Sequence, residues 1–249
     1  MEKSFEILKK EFYKIKKKGW VESNTNNLGS IGHTFEKFLG IQTNELEIPD
    51  FDGIEIKTKN KYSDSYTTLF CCTPTGPHFH EVERLKDLYG YPDSNLKKYN
   101  VLNTSVYSKY KNKVGVKYYF ELKVDKEKQK IFLLIYNRKK ELIEDIVYWD
   151  FDILKEKLYR KLKYLAFIKA DKLYKEKKRY FKYYSMKIYK LKNFGTFINL
   201  IEDGTIRISL KIGIFRTGKK IGQIHDHGTS FCIKEDNLEK LYVLLEAYG

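Results

Sequence analysis

The stretch Pro49-Asp50-Phe51-Asp52-Gly53-Ile54-Glu55-Ile56-Lys57 restricts the fold more than any other part of the chain. Read as a strand from Ile54 to Thr58, it sends successive side chains to opposite faces. Ile54 and Ile56 then enter a core while Glu55 and Lys57 share the other side. Such a strand belongs in a sheet with one dry face and one charged face. Asp50 precedes Glu55 by five residues and Glu36 lies upstream, so carboxylates and an ammonium gather around a rigid element. That donor set suits a hard divalent cation such as Mg²⁺, which takes oxygen ligands and keeps several waters. An ion held there activates water and stabilises charge on a phosphodiester under in-line attack.

A chain of 249 residues is long enough for one large domain or two small lobes, and can bury roughly 75% of its unfolded surface. Its 48 Lys and Arg against 33 Asp and Glu give a net charge of +15, which makes a polyanion the first partner to consider. The 21 tyrosines among those cations can stack on bases, although Tyr and Lys enrichment also accompanies ordinary compositional drift. No apolar run approaches the ~20 residues that cross a bilayer, and the first residues lack the apolar core of a signal peptide. The charges are spread along the chain rather than gathered into a segment suited to an anionic membrane. A soluble, cytoplasmic protein is expected. Cys71, Cys72 and Cys232 are odd in number and lack Cys-x-x-Cys spacing, so neither a disulfide framework nor a thiolate zinc site is supported. Reduced, buried thiols are expected.

Phe5, Leu8, Phe12 and Ile15 recur at helical spacing and predict a helix ending near Lys18. A polar loop follows to Ser30, then a short helix from His33 to Leu39 that carries Glu36 beside the apolar Phe35, Phe38 and Leu39. Tyr66 to Cys72 reads as a strand and Glu81 to Tyr89 as a helix, while Tyr91 to Lys113 shows little periodicity. Val116 to Val124 and Lys130 to Asn137 flank a charged turn and predict a hairpin. Helices are expected at Phe151 to Leu162, near Leu191 to Ile201, and at Asn237 to Tyr248. Strands are expected at Tyr164 to Ile168, around Arg179 to Ile188, and across Ile206 to Ile212, where apolar residues alternate with Arg207, Ser209 and Lys211.

Glu-x-Lys alone is a weak signal in a chain that is 33% charged. As a solvated pair on an exposed sheet face, Glu55 and Lys57 would be worth under ~1 kcal/mol. Context sharpens the signal, because Gly29-x-x-Gly32 lies ahead of the helix carrying Glu36, and a proline precedes Asp50. The wording Gly32-His33-Thr34-Phe35-Glu36, Pro49-Asp50-Phe51 and Ile54-Glu55-Ile56-Lys57-Thr58 resembles the MvaI/BcnI-type type II restriction endonucleases, in the MutH-like branch of the PD-(D/E)xK nuclease superfamily. The likeness extends to Val147-Tyr148-Trp149, Lys161-Leu162-Lys163-Tyr164, and Thr217-Gly218-Lys219-Lys220 through His225-Asp226-His227-Gly228-Thr229, and so covers nearly the whole chain. It implies that Asp50 and Glu55 ligate the metal, that Lys57 orients or polarises the attacking water, and that Glu36 supports the site from the adjacent helix. Proximity and electrostatic stabilisation would supply most of the rate. Asp52 sits beside the turn-forming Gly53 and matches no ligand position.

On a strand, His225 and His227 face the same way with Asp226 opposite. Zinc would need more ligands than these, and buried structural histidines are an alternative. Base-edge or phosphate contact is preferred, since imidazole N–H can donate to guanine N7 or O6 while Lys219 and Lys220 neutralise phosphates. The resemblance implies that this region belongs to a lobe reading DNA from the major groove. The expected contact set is Arg207, Ser209, Lys211, Arg216, Lys219, Lys220, His225, Asp226, His227 and Thr229. Ser209 and Lys211 stand where the family pattern calls for an acid and an arginine, and Cys232 where a basic side chain would be useful; lysine lacks arginine's bidentate fork. His33 lies near Glu36 with a surface or cap role, and His78 and His80 sit in a loop that can approach a minor groove.

These readings combine into an α/β protein of α+β type, with a PD-(D/E)xK core whose mixed central sheet is flanked by helices. Two lobes would enclose a basic DNA cleft, residues 1–150 being mainly catalytic and 151–249 mainly for recognition, with some chain exchange. The resemblance implies a Mg²⁺-dependent monomer with one active site, nicking the two strands of a CCNGG- or CCWGG-like site in sequence and leaving 5′-phosphates. A companion methyltransferase would act on the same site. The rivals are a MutH-like nicking enzyme of mismatch repair and a DNA-binding module without catalysis.

Overall fold

The computed structural model describes residues 1–23, 25, 29–41, 48–226 and 228–249. The helices are α1 (Glu2–Lys17), α2 (Ser30–Phe38), α3 (Glu81–Tyr89), α4 (Phe151–Leu162), α5 (Phe194–Glu202) and α6 (Leu238–Leu241). The strands are β1 (Val21–Glu22), β2 (Glu55–Asn60), β3 (Thr67–Cys71), β4 (Tyr91–Pro92), β5 (Asn100–Val106), β6 (Asn112–Val114), β7 (Tyr118–Asp125), β8 (Lys130–Tyr136), β9 (Leu142–Asp150), β10 (Tyr164–Lys175), β11 (Lys178–Leu191), β12 (Ile206–Ile214), β13 (Ile224–Asp226), β14 (Ser230–Ile233) and β15 (Tyr242–Tyr248). The chain forms two compact units, one of Met1–Ser65, Lys157–Lys192 and Glu239–Gly249, the other of Tyr66–Glu156 and Asn193–Leu238. It therefore crosses between units at 65/66, 156/157, 192/193 and 238/239, where the sequence suggests one main division near residue 150.

In the first unit the sheet order is β1-β11-β10-β2, with β15 also paired to β11. β2 runs parallel to β10, with Glu55 opposite Leu165 and Lys57 opposite Phe167, while the other pairs are antiparallel. This is the expected mixed sheet. Ile56, Ala166, Ile168 and Ile188 on one face pack with Phe5, Leu8, Phe12 and Ile15 of α1 and Phe35 of α2. The period of 3.6 along α1 puts its four large residues on one stripe, which is what lets a lysine-rich helix dock on a sheet. Glu55 and Lys57 are thereby left on the opposite face.

In the second unit, one sheet has the order β3-β14-β12-β5-β4 with β13 on β12, and another has the order β6-β7-β8-β9. Phe70, Phe197, Phe231 and Trp149 form its aromatic centre, Phe70 stacking on Phe231 at 5.0 Å. The predicted hairpin is β7–β8, closed by Asp125 opposite Lys130. Tyr91 to Lys113 holds β4, β5 and the start of β6, although no periodicity marks it. β5 buries the adjacent Val101 and Leu102, which breaks the alternation a sequence reading looks for.

Two expectations need correction. Asn237 to Tyr248 is a 3-10 turn (Glu235–Asn237), the single turn α6, and strand β15 instead of a helix. Pairing with β11 from Leu191 opposite Tyr242 to Met186 opposite Tyr248 overrides the helical propensity of Leu241, Leu244 and Leu245. All three cysteines are free as expected, but Cys71 is exposed, while Cys72 and Cys232 are buried. Among the described residues no helix is long and apolar enough to cross a membrane.

Candidate active site

A tight turn delivers the chain into β2. Phe51 and Ile54 exchange backbone hydrogen bonds of 3.0 and 2.8 Å, while Asp52 and Gly53 take positive φ of 42° and 83°. The Asp52 carboxylate accepts from Ser4 Oγ at 2.5 Å and so braces α1. Asp50 behaves differently. Its Oδ2 accepts from the Ile56 amide at 2.9 Å, which fixes that carboxylate against the start of β2.

Glu55 is only 1% exposed. Its Oε1 accepts from Lys57 Nζ at 2.5 Å and lies 3.6 Å from Lys161 Nζ at the end of α4. Its Oε2 is buried with no hydrogen-bond partner. An unsatisfied buried carboxylate oxygen costs on the order of 1–3 kcal/mol or more, which an oxygen-seeking cation would relieve. Burial, and then the charge of Asp50, raise the Glu55 carboxyl above its ordinary value against the opposing pull of Lys57.

Glu36 is positioned by α2. Gly32, one turn earlier, sits so close to β2 that a Cβ would lie 3.3 Å from both Glu36 Oε1 and Thr58 Oγ1. The missing side chain leaves room for the Glu36 carboxylate beside the strand. His33 Nδ1 is 3.6 Å from Glu36 Oε2, and the Tyr183 hydroxyl donates to the Ile31 carbonyl at 2.7 Å, tying α2 to β11. Burial, then Asp50, also raise the Glu36 carboxyl. Glu36 and Glu55 thus both feel Asp50, and the three acids form one electrostatic group. Among the described residues, no three His, Cys, Asp or Glu side chains form a ready-made metal cage. Asp50 and Glu55 instead offer the one or two carboxylates that Mg²⁺ takes while keeping its waters.

Lys161 is a member of this group that sequence reasoning did not assign. Its position beside the buried Leu158 and Leu162 turns it toward β2, but only the Glu55–Leu165 register reveals which acid it meets.

The second unit holds the residues expected to contact DNA. Arg207 lies with its guanidinium 3.5 Å over the Tyr66 ring and donates to Tyr107 Oη at 2.8 Å. Ser209 and Thr229 are buried, so their hydroxyls are not presented at the surface. Lys211, Lys219 and Lys220 are exposed. Arg216 donates from Nε and Nη2 to Asp93 Oδ2 at 3.2 and 2.7 Å, holding the Asp93 carboxyl down at about 2. His225 stacks on Phe215 at 4.3 Å with the rings nearly parallel, an arrangement that fixes the imidazole plane. Asp226 Oδ1 accepts from the Gly228 amide at 2.7 Å. His227 lies outside the described residues. The loop between β12 and β13 is pinned where Gly222, at φ 82°, lies under the Tyr99 ring so tightly that any Cβ would collide. β13 pairs Gly213 with His225, so Lys211 and His225 project from neighbouring strands. His78 and His80 precede α3, the His78 amide donating to Glu81 Oε2 at 3.1 Å.

The model of the MvaI/BcnI restriction endonuclease family matches residues 9–242. No curated protein matches the chain. A solved structure of restriction endonuclease MvaI in complex with its cognate DNA substrate is 32% identical, with a TM-score of 0.91, over 100% of this chain and 98% of that one. MvaI in the absence of DNA is likewise 32% identical, with a TM-score of 0.64, over 98% of each chain. The donor set on β2, the fold around it and these matches agree: the chain belongs to the MvaI/BcnI restriction endonuclease family and is a type II site-specific deoxyribonuclease.

Proposed function

We propose that this chain hydrolyses double-stranded DNA at a short C/G-rich pseudopalindrome of CCNGG or CCWGG type. The first unit would perform the cleavage and the second would read base edges in the major groove. The match to MvaI bound to its cognate DNA supports the duplex as substrate. The observation that carries the catalytic assignment is Glu55, buried beside Asp50 with one oxygen unpartnered. A carboxylate oxygen left without a partner in this way is the kind of donor that a hard divalent cation takes.

Asp50 and Glu55 would hold Mg²⁺, which when bound would neutralise charge at the scissile phosphate and acidify a water. The chain's own groups do the rest. Lys57, tethered to Glu55, orients the attacking water and offers its ammonium to the charge that develops on phosphate oxygens. Lys161, 3.6 Å from the same Glu55 oxygen, adds a second positive charge that favours the ionised carboxylate. Glu36 fixes a water by hydrogen bonding from α2. Attack opposite the 3′ oxygen leaves a 5′-phosphate and a 3′-hydroxyl. With one such centre per chain, a monomer cuts the two strands in sequence. His225, Asp226, His227, Lys211, Lys219 and Lys220 are the base and phosphate contacts, and Ser209, Thr229, Arg207 and Arg216 shape the strands that present them. A cytoplasmic enzyme of this kind implies a methyltransferase protecting the same sequence.

Digestion of a sequenced phage DNA with Mg²⁺, its ends mapped by run-off sequencing, tests activity, specificity and cut position together. Discrete ends at one C/G-rich sequence, preceded by a nicked intermediate, are expected. Random ends, or none without an added protein activator, would refute this assignment.

A further inference from the structure

β10 and β11 outrun the sheet that holds them. β2 follows β10 from Leu165 to Ala170, and β1 pairs with β11 at Tyr180 and Phe181, the Ser23 amide donating to the Arg179 carbonyl at 2.8 Å and Lys178 Nζ lying 2.9 Å from Glu22 Oε1. Beyond these, Tyr174 pairs with Arg179 and Lys175 with Lys178, closed by Glu176 and Lys177 at φ 52° and 63°. That is a two-residue hairpin turn whose twist suits a ribbon. Every residue from Lys172 to Lys178 is exposed, including Tyr174 at 64%. From Lys172 to Lys182 there are six cations and one acid. A two-stranded ribbon is marginal by itself, so the chain maintains a projecting basic arm that adds little to its own core.

We infer that this arm is a second DNA-binding surface, holding backbone phosphates outside the sequence that is read and cut. The inference rests on the duplex being the substrate. Lys175 lies ten residues beyond Leu165, the partner of Glu55, a rise of roughly 33 Å, close to the ~34 Å of one helical turn of DNA. Phosphates that the arm neutralises are therefore up to a turn away from the scissile bond, beyond a site of a few base pairs. Lysines release counterions without selecting bases, and the exposed Tyr174 ring can pack on a sugar. Lysines on exposed strands also discourage pairing with other chains; that role alone would leave DNA affinity untouched.

The test is the triple variant Lys172→Gln, Lys175→Gln, Lys177→Gln, titrated by fluorescence anisotropy in EDTA over a range of salt. Two duplexes carrying the cleaved sequence are compared, one of about 12 base pairs, little over a turn, and one several turns long. On the long duplex the salt slope should fall by about 0.9 for each phosphate that the arm no longer neutralises, roughly 2–3 in all, with affinity ten- to hundred-fold weaker near ~0.1 M salt. On the short duplex, binding and Mg²⁺-dependent cleavage should match the parent. An unchanged slope on the long duplex overturns the inference, and so does an equal loss on both duplexes, which would place the lysines at the cut site or in the fold. A parent that binds the long duplex through the arm yet cuts nothing would instead overturn the nuclease mechanism.

Discussion

Gly32→Ala separates the folding role of α2 from its role at the centre. The glycine lies within α2, with no positive φ, so alanine fits the backbone. A helical Gly→Ala change of this kind stabilises by about 0.5–1 kcal/mol, or roughly 1–4 °C in a chain of this size. Against that, the new methyl carbon would stand 3.3 Å from Glu36 Oε1 and Thr58 Oγ1, and one of them must retreat by a few tenths of an ångström. Thr58 is held in β2 by its pairing with Ile168, so the carboxylate end of Glu36 gives way. Misplacement of 1 Å at a reacting centre can cost ~100-fold, so a few tenths correspond to roughly 3- to 10-fold in the cleavage step. Melting in EDTA and single-turnover cleavage of a supercoiled plasmid at saturating Mg²⁺ measure the two effects. The expected result is an unchanged or slightly higher melting temperature with slower cleavage. Cleavage at the parent rate would refute the reasoning that the Gly32 contact sets the position of a Glu36 carboxylate on which the cleavage step depends.

Glu55→Gln should abolish cleavage, by at least ~1,000-fold if it removes a metal ligand that the reaction requires, while anisotropy in EDTA shows duplex binding retained; residual cutting near the parent rate would refute the assignment. The raised carboxyls of Glu36 and Glu55 bind protons more readily folded than unfolded. Their contribution to metal-free stability is thus fullest below the ordinary value of 4.5 and declines as pH rises through their higher folded values. Melting in EDTA should show Glu55→Gln gaining on the parent across that window, and the parent's cleavage should climb over the same window as the carboxylates ionise. Phe215→Leu removes the ring under His225. Discrimination between the cleaved sequence and single-base variants should fall by about 0.5–1.5 kcal/mol, roughly 2- to 12-fold, with the saturating cleavage rate unchanged; undiminished discrimination would show that the stack does not serve reading.

The parts legible in the sequence are those whose physics is local. The stripe of Phe5, Leu8, Phe12 and Ile15, the alternation of Ile206 to Ile212 and the turn at Asp52-Gly53 each announce themselves within a few residues, and each lies in the structure where its period puts it. β15 is illegible for the opposite reason. Tyr242 to Leu245 carries no alternation, and only the open edge of β11 decides that it is a strand. The centre shows the same division. The Asp50, Glu55 and Lys57 spacing names donors, but spacing cannot tell a buried carboxylate from a solvated one. That distinction is made by the parallel pairing of β2 with β10, two strands separated in the chain by Tyr66–Glu156 of the other unit. The pairing places Leu165 across from Glu55 and brings the end of α4, with Lys161, over it. Burial then raises the acid, orphans one of its oxygens and leaves two ammonium groups on the other. The motif supplies the carboxylates, and a long-range pairing buries Glu55 and leaves one of its oxygens without a partner.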